Sequence, residues 1–497
     1  MKELLTELSS VVDVVSGSAE EVFTINKLKE FFEDLGIYIR IHPVEVISWK
    51  DISCSVNGLP CKCLPPIRSS EIYGMLTDDL SNCGGKVLIT STTDFPDNVW
   101  VIYNLAVELG ANAVIFYDAF PNRYRRIVVT GVWSYSLNRG DFPPIPAVHL
   151  RLEDGIKLRK LIGTHINLRC VTETKLSTGY NVEAFIGGRK ENEVLITAHH
   201  DRWLSGFRDN LVGLYTLVKL AHRALNHQTP RYTVRLASFT AEEFGNPNLS
   251  PWYWSYGSRE YARTSKLDDI EFVVNLDTAC KEPVRVNATG PEIGEYFIKY
   301  STMNYLYEGF DHPYTDGLTF SSRGIPTVTL QNLRDIDEIY HTDLDTFFNV
   351  DEFTESIIKW ILNAVNEYEI GKLEFREYYE VLKNSLPNGF EWFLDKISEV
   401  SDLDNLRIIF RGISKELVKP IFLGSYKDLN KDLITLLIPH ALVINNLIKG
   451  VKTEVRIAGI EEILCCQHED LNEIISKHIN YLNDVLNKLI SDLHSRN

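Results

Sequence analysis

Positive charge is scarce in this sequence. Its 497 residues carry 51 lysines and arginines against 68 aspartates and glutamates, a net charge of −17. That balance excludes a basic stripe for nucleic acid and predicts no attraction to anionic lipid. Long apolar runs are missing as well. The longest, LITLLIPHALVI at 433–444, is too short to span a bilayer and contains Pro439 and His440. The stretch MKELLTELSSVVDVVSGS sets acids among its apolar residues and has no signal-peptide cleavage pattern, so a cytoplasmic location is expected. Eight cysteines are too few for a disulfide framework in so long a chain, and neither Cys61 and Cys63 nor Cys465 and Cys466 has a partner pair at zinc-site spacing. Reduced, structural thiols are the expectation. No internal repeat, low-complexity tract or flexible linker interrupts the chain. What is present, 44% hydrophobic and 24% charged residues, suits a globular protein with more than one core.

The order of elements is legible in the patterning. Residues 1–45 read as helices followed by a strand, GIYIRIHPVEVI. Between about 46 and 172, strands KVLIT (86–90), NAVIFYD (112–118) and PPIPAVHL (143–150) alternate with helical stretches at 99–110 and after Glu153, a small α/β unit. The span 173–370 is the most regular. It predicts strands at 193–198, 232–240, 271–276 and 326–330 and helices at 211–225 and 351–367, a doubly wound pattern. Beyond 371 strand signals fade. Ile475, Ile479, Leu482, Leu486, Leu489 and Leu493 recur every three or four residues, one face of an amphipathic helix. The last segment is expected to be a helical domain or dimerisation element.

The chemistry gathers where apolar strands of the 173–370 region end. His199 follows VLITA, Glu242 and Glu243 follow YTVRLASFTA, Asp277 follows EFVVNL, and His341 lies in IDEIYHTD. In open α/β sheets, ligands gather beyond the carboxyl ends of strands, so these residues have a common meeting place that Asp209 can join. Neutral imidazoles and carboxylates suit zinc. One zinc needs about three protein ligands and a water, whereas His199, Asp209, Glu243, Asp277 and His341 make five. Two ions sharing one carboxylate give three ligands each. Glu242 is then left as a free carboxylate beside the metals. If the strand end stays extended, side chains alternate and Glu242 and Glu243 point apart. Taken singly, a pair of glutamates after a strand is usually a solvated helix start and an HxD a turn. It is their joint occurrence at successive strand ends that points to a site.

At these residues the sequence resembles the glutamate carboxypeptidase and transferrin-receptor branch of the co-catalytic zinc aminopeptidase family. HHDRWLSGFRDNLVG (199–213) is similar to the family's H-x-D turn with an aspartate ten residues after the histidine. TAEEFG (240–245), VVNLDTA (273–279), IYHTDLDT (339–346) and TDGLTFSSRGIPTVTL (315–330) resemble its other site segments. KVLIT…AVELGANAVIFYD…IPAVHL resembles a protease-associated domain. The resemblance implies an α/β fold: a doubly wound mixed-sheet zinc-exopeptidase domain (1–45 and 173–370), an inserted protease-associated α/β domain (46–172) and a C-terminal helical, dimerising domain (371–497). It implies that His199 and Asp277 hold one zinc, that Glu243 and His341 hold the other, and that Asp209 bridges them; Co2+ or Mn2+ would also suit the set. It gives Asp201 the role of orienting His199, Glu242 that of general base, and Tyr340 that of a donor to the developing oxyanion. It also implies a cis peptide at Asp209–Asn210.

The expected function is hydrolysis of the terminal bond of peptides, by an aminopeptidase first and by a carboxypeptidase or dipeptidase of the glutamate carboxypeptidase type as the alternative. A carboxypeptidase needs a cation to grip a free carboxylate, and Arg208, Arg323 and Arg334 lie in candidate loops. The remote alternative is a receptor-like binding protein, as in the branch members that lack the zinc set; glutaminyl cyclisation on the same fold uses one zinc. Peptide substrates and a homodimer are the expected partners. His200 is expected to pack rather than ligate, and Arg208 to pair with an acid. The aromatic insertion NPNLSPWYWSY (246–256) either walls a pocket for apolar side chains or packs on a neighbouring loop.

Overall fold

A computed structural model describes residues 1–369 except 94–96, 130–141, 227–228, 248, 250–252, 290, 312–313 and 322–324; beyond 369 it describes three short strands and a few single positions. The chain opens with helices α1 (Lys2–Ser9) and α2 (Ala19–Asp34). They lead into the long strand β1 (Tyr38–Val56) and short strands β2 (Leu59–Pro60) and β3 (Lys62–Cys63). A small α/β unit follows: β4 (Ser70–Thr77), β5 (Val87–Thr92), α3 (Asp97–Glu108), β6 (Ala113–Asp118), β7 (Ala147–Leu150) and α4 (Leu152–Arg159). The long β8 (His165–Ile186) returns to the main sheet. There the chain runs β9 (Lys190–His199), α5 (Val212–Asn226), β10 (Tyr232–Phe239), α6 (Tyr256–Thr264), β11 (Ile270–Leu276) and β12 (Val284–Ala288). It continues through α7 (Pro291–Ile298), β13 (Tyr305–Phe310), α8 (Gly317–Ser321), β14 (Thr327–Gln331) and α9 (Asp351–Glu367).

All fourteen strands join one mixed sheet, ordered β13-β12-β14-β11-β9-β10-β8-β4-β5-β6-β7-β3, with β1 alongside β8 and β2 alongside β1. Strands β14, β11, β9 and β10 are mutually parallel, so their carboxyl ends lie at one edge of the sheet. Strand β9 shows why this sheet is buried on both faces. Val194, Ile196 and Ala198 enter the core beneath α1, α2, α5 and α9, while Leu195 enters a second core with Phe239, Tyr261 and Phe320. A two-residue alternation with apolar side chains on both faces is what a covered parallel strand requires.

β1 and β8 pair from Tyr38↔Phe185 to Val56↔Leu168, and β4 continues the ladder against the other end of β8. The positions 45/46 and 172/173, expected to divide the chain, therefore lie inside continuous strands. The 371–497 segment, expected to be helical, falls almost wholly outside the described residues. What is described there includes Ile421–Leu423, Glu454–Ile457 and Ile463–Cys465, an antiparallel three-stranded sheet that the sequence patterning had not marked. No helix among the described residues is long and apolar enough to cross a membrane.

The expectation of reduced cysteines throughout is corrected at one place. Cys54 and Cys61 form a disulfide, with Cα atoms 4.9 Å apart, while Cys63, Cys83, Cys170 and Cys280 are free. The cause is local. Asn57 and Gly58 both take positive φ (48° and 79°), turning β1 into β2 with Val56 opposite Leu59 and Ser55 opposite Pro60. Asn-Gly is the strongest two-residue hairpin signal, and it sets residues 54 and 61 opposite each other.

Candidate metal centre

The turn after β9 carries His199 at the strand's last position and Asp209 ten residues on. Asp209 is held by its neighbours. The Asp345 carboxylate accepts from the backbone N–H groups of Arg208 (2.8 Å) and Asp209 (3.3 Å), and Asn210 Nδ2 donates to the Leu276 carbonyl at the end of β11 (2.8 Å). The Asp209–Asn210 peptide is cis, as expected. Thus braced, Asp209 points one carboxylate oxygen at each histidine. Oδ1 lies 3.2 Å from His199 Nε2, and Oδ2 lies 3.2 Å from His341 Nε2. Asp277 Oδ1 stands 3.9 Å from the first ring and Glu243 Oε2 3.1 Å from the second. Two overlapping triads result, His199–Asp209–Asp277 and Asp209–Glu243–His341, all buried.

The tautomers follow from the second nitrogen of each ring. His199 Nδ1 lies 2.9 Å from the Asp201 carbonyl and His341 Nδ1 3.0 Å from the Arg126 carbonyl. A carbonyl oxygen can only accept, so each Nδ1 carries a proton, and in the neutral ring each Nε2 turns a lone pair toward carboxylate oxygens. His199 Nε2 and Glu243 Oε1 are buried and make no hydrogen bond. Lone pairs face to face repel unless a metal ion or, without one, a proton on Nε2 lies between them. Two ligand atoms about 2.0–2.1 Å from one tetrahedral zinc are about 3.3 Å apart, and the closest approaches here match that spacing. By donor type, spacing and unsatisfied atoms, the residues fit a zinc-type metal.

The electrostatics agree. Burial would raise the Asp209 carboxyl, but the rings of His199 and His341 overcome it and hold it well below the usual carboxylate range. Burial works against charging His341, yet Glu243 and Asp209 lift it to about 10. Burial lifts Glu243 to about 7 and Glu242 well above the carboxylate range, with neighbouring carboxylates adding to both. So many anions in one dry interior call for positive charge.

Glu242 and Glu243 part company, but not by strand alternation. Ala241 takes φ 52° just past β10, and the turn is pinned by the Asp201 carboxylate, which accepts from Glu242 N (3.1 Å) and Glu243 N (3.0 Å). Asp201 thus meets His199 through its carbonyl and turns its carboxylate to the two glutamate N–H groups. Glu242 Oε1 accepts from Ser255 Oγ (3.1 Å), and its Oε2 lies 4.0 Å from His199 Nε2. Tyr340 stacks on His341 with ring centroids 3.8 Å apart. Burial and then the Asp209 and Glu243 charges push its phenol well above 10, so it stays a donor. His200 packs as expected, with Nδ1 at 2.8 Å from Ser238 Oγ and Nε2 at 3.2 Å from Glu21 Oε1. Arg208 pairs with Asp345 at 2.8 Å.

Beside Glu242, Glu243 and His341 opens a pocket walled by Trp100, Val128, Tyr253, Trp254 and Tyr314, with Asp337 and Tyr340 at its lining. Tyr253 and Trp254 come from the 246–256 insertion, so this part of the insertion walls the pocket. Sequence reasoning missed several contributors. Asp316 is fully buried near the first triad; burial lifts its carboxyl to about 7, His199 opposing and Asp277 adding. Asp345, Ser255 and Arg126 act on the site across long stretches of sequence. Asp316 and Asp345 had a local signal, their places in the TDGLTF and IYHTDLDT segments.

Residues 181–365 match peptidase family M28. No curated protein sequence matches the chain. Among solved structures, a zinc aminopeptidase from Bacillus subtilis superposes with a TM-score of 0.58 at 17% identity, covering 75% of this chain and 97% of its own. A peptidase M28 precursor from Shewanella amazonensis gives 0.58 at 18% identity, covering 75% and 94%. An aminopeptidase from Aneurinibacillus gives 0.51 at 18% identity, covering 74% and 94%. At these identities the likeness is one of fold.

Proposed function

We propose that this chain, a zinc-dependent metallopeptidase through its peptidase family M28 segment, is a two-zinc aminopeptidase that releases single residues from the amino terminus of peptides. The observation that carries the reading is Asp209, whose two carboxylate oxygens each face a histidine Nε2 at 3.2 Å. His199 and Asp277 would hold one ion, Glu243 and His341 the other, and Asp209 both. Bound there, the ions would supply Lewis acidity to the scissile carbonyl and to the attacking water.

The chain's own groups do the rest. Glu242, held by Ser255 and lifted above the usual carboxylate range by burial, takes a proton from the attacking water and passes it to the leaving amine. The Tyr340 phenol donates to the oxygen that becomes negative as the carbonyl turns tetrahedral. The aromatic pocket beside them takes an apolar side chain, and Asp337 offers a carboxylate to the free amine.

Release from the amino end is favoured over a carboxypeptidase by the cations. No lysine or arginine is among the described pocket-lining residues, Arg208 is engaged by Asp345, and Arg334 lies beside Glu308 at 3.8 Å; Arg323 lies outside the described residues. The test sets free-amine p-nitroanilides with bulky apolar residues against N-blocked peptides. Hydrolysis of the first and not the second is expected. Cleavage only of peptides with a free carboxyl terminus and a blocked amine would overturn the reading.

A further inference from the structure

The two triads are not supported alike. His341 sits in a loop, at φ 57°, a left-handed conformation that a non-glycine residue keeps only where its surroundings hold it. What holds it is Arg123–Arg126, a segment some 215 residues away in sequence. Arg125 pairs with Thr342 in an antiparallel bridge. Arg126 N donates to the His341 carbonyl (3.0 Å), and the Arg126 carbonyl accepts from His341 Nδ1 (3.0 Å). Tyr124 N donates to Asp343 Oδ1 (2.9 Å), and Asp343 N returns a bond to the Tyr124 carbonyl (3.2 Å).

Arg125 is the centre of this clamp. Its guanidinium is 2% exposed and anchored by Nε to Asp118 Oδ2 at 2.7 Å, where β6 ends. Its two remaining nitrogens reach three carbonyls of the loop: Asp337 (2.7 Å), Tyr340 (2.9 Å) and Glu338 (2.9 Å). Arg123 donates to the Glu338 carbonyl as well. A planar fork with fixed donors can bind several carbonyls at once; an ammonium on a flexible stem cannot hold the same geometry. His199, by contrast, ends a central strand; the buried Arg202 beside it donates to the carbonyls of His200 (3.4 Å), Leu8 (2.7 Å) and Val11 (2.9 Å), so it ties down the turn after the ring rather than the ring's own backbone.

We propose that Arg125 is a positioning residue for the second metal site. It fixes the 337–342 loop so that His341 Nε2 meets Asp209 and Glu243, and Tyr340 faces the pocket. Occupancy of the His341 site therefore depends on the 123–126 segment, and that of the His199 site does not. The inference rests on the two-ion reading above.

The test titrates zinc into metal-free full-length wild type, Arg125→Ala and Arg125→Lys against a competing chelator, and follows amide hydrogen exchange of each metal-free chain. Wild type is expected to bind two ions. Both variants should hold one ion with wild-type affinity and the other about 10–100-fold more weakly, as expected when a partner that orients a metal ligand is lost. Exchange in 337–345 should quicken at least tenfold while 194–199 stays protected. Arg125→Lys keeps a charge opposite Asp118 and provides a folded variant should Arg125→Ala fail to fold. Both ions binding Arg125→Lys as they bind wild type would overturn the proposal, as would equal weakening of the two or unchanged exchange in the loop. If wild type binds no second ion, the two-ion reading fails, and the exchange measurement still decides the clamp.

Discussion

The His199 and His341 halves of the site share one carboxylate and contain similar ligands, yet they are built differently. On the His199 side, the ring closes β9, Asp277 follows β11, and their backbones are fixed by parallel ladders. On the His341 side, Glu243 lies in a turn pinned by Asp201, and the ring lies in a loop clamped by Arg123–Arg126. One half is thus a product of sheet topology and the other of long-range hydrogen bonds. The lesson is that two similar ligand triads can have unequal mechanical support, and the loop-borne one takes its support from Arg123–Arg126.

The largest effect expected from breaking this arrangement leaves both halves intact. Glu242→Gln should keep both ions and lower kcat by about a hundredfold to ten-thousandfold, the range for losing a general base. Elemental analysis beside steady-state kinetics checks it, and normal turnover would refute the assignment. Next comes the shared residue. Asp209→Ala should weaken both ions, each by at least about tenfold, whereas His341→Ala should cost only the second; chelator competition separates the two cases.

A smaller effect concerns the pocket. Trp254→Ala should lower kcat/KM for bulky apolar residues by about tenfold and leave small residues nearly unchanged, in keeping with about 1–3 kcal/mol for partial loss of an apolar pocket contact. The smallest is on stability. His341 is lifted to about 10 and Glu243 to about 7, both above their ordinary values. A raised folded-state pKa gives stability that is complete below the unfolded value and lost as pH rises through the folded one. The Tm of the metal-free chain should therefore fall from about pH 5 to pH 10, while the zinc-loaded chain changes less over the same range. A metal-free Tm that rises with pH would contradict the charge balance argued for the site.

The half of the site built by strands was also the half most open to sequence reading. VLITA, FVVNL and YTVRLASF announce buried strands, and polar residues directly after them stand out. Residues that work through distant partners leave no local period. Arg123, Tyr124, Arg125 and Arg126 follow no apolar period, yet all three arginines are buried, and their partners lie in 337–343 and at Asp13, Asp51 and Asp118. Asp201 could be placed beside His199, but spacing does not say whether its carbonyl or its carboxylate does the holding; the carbonyl does. The Cys54–Cys61 disulfide was legible in principle. Asn57-Gly58 sets the register, and counting outward from the turn pairs the two cysteines. Edge elements β12, α7 and β13 were passed over because their short apolar runs fit strand and helix equally well.

The most direct measurement is anomalous diffraction at the zinc edge from crystals of the full chain grown with zinc. The account predicts two peaks about 3.5–4 Å apart, astride the Asp209 carboxylate. One peak would be held by His199 and Asp277 and the other by Glu243 and His341. A single peak, or peaks that leave Asp209 out of the coordination, would contradict it.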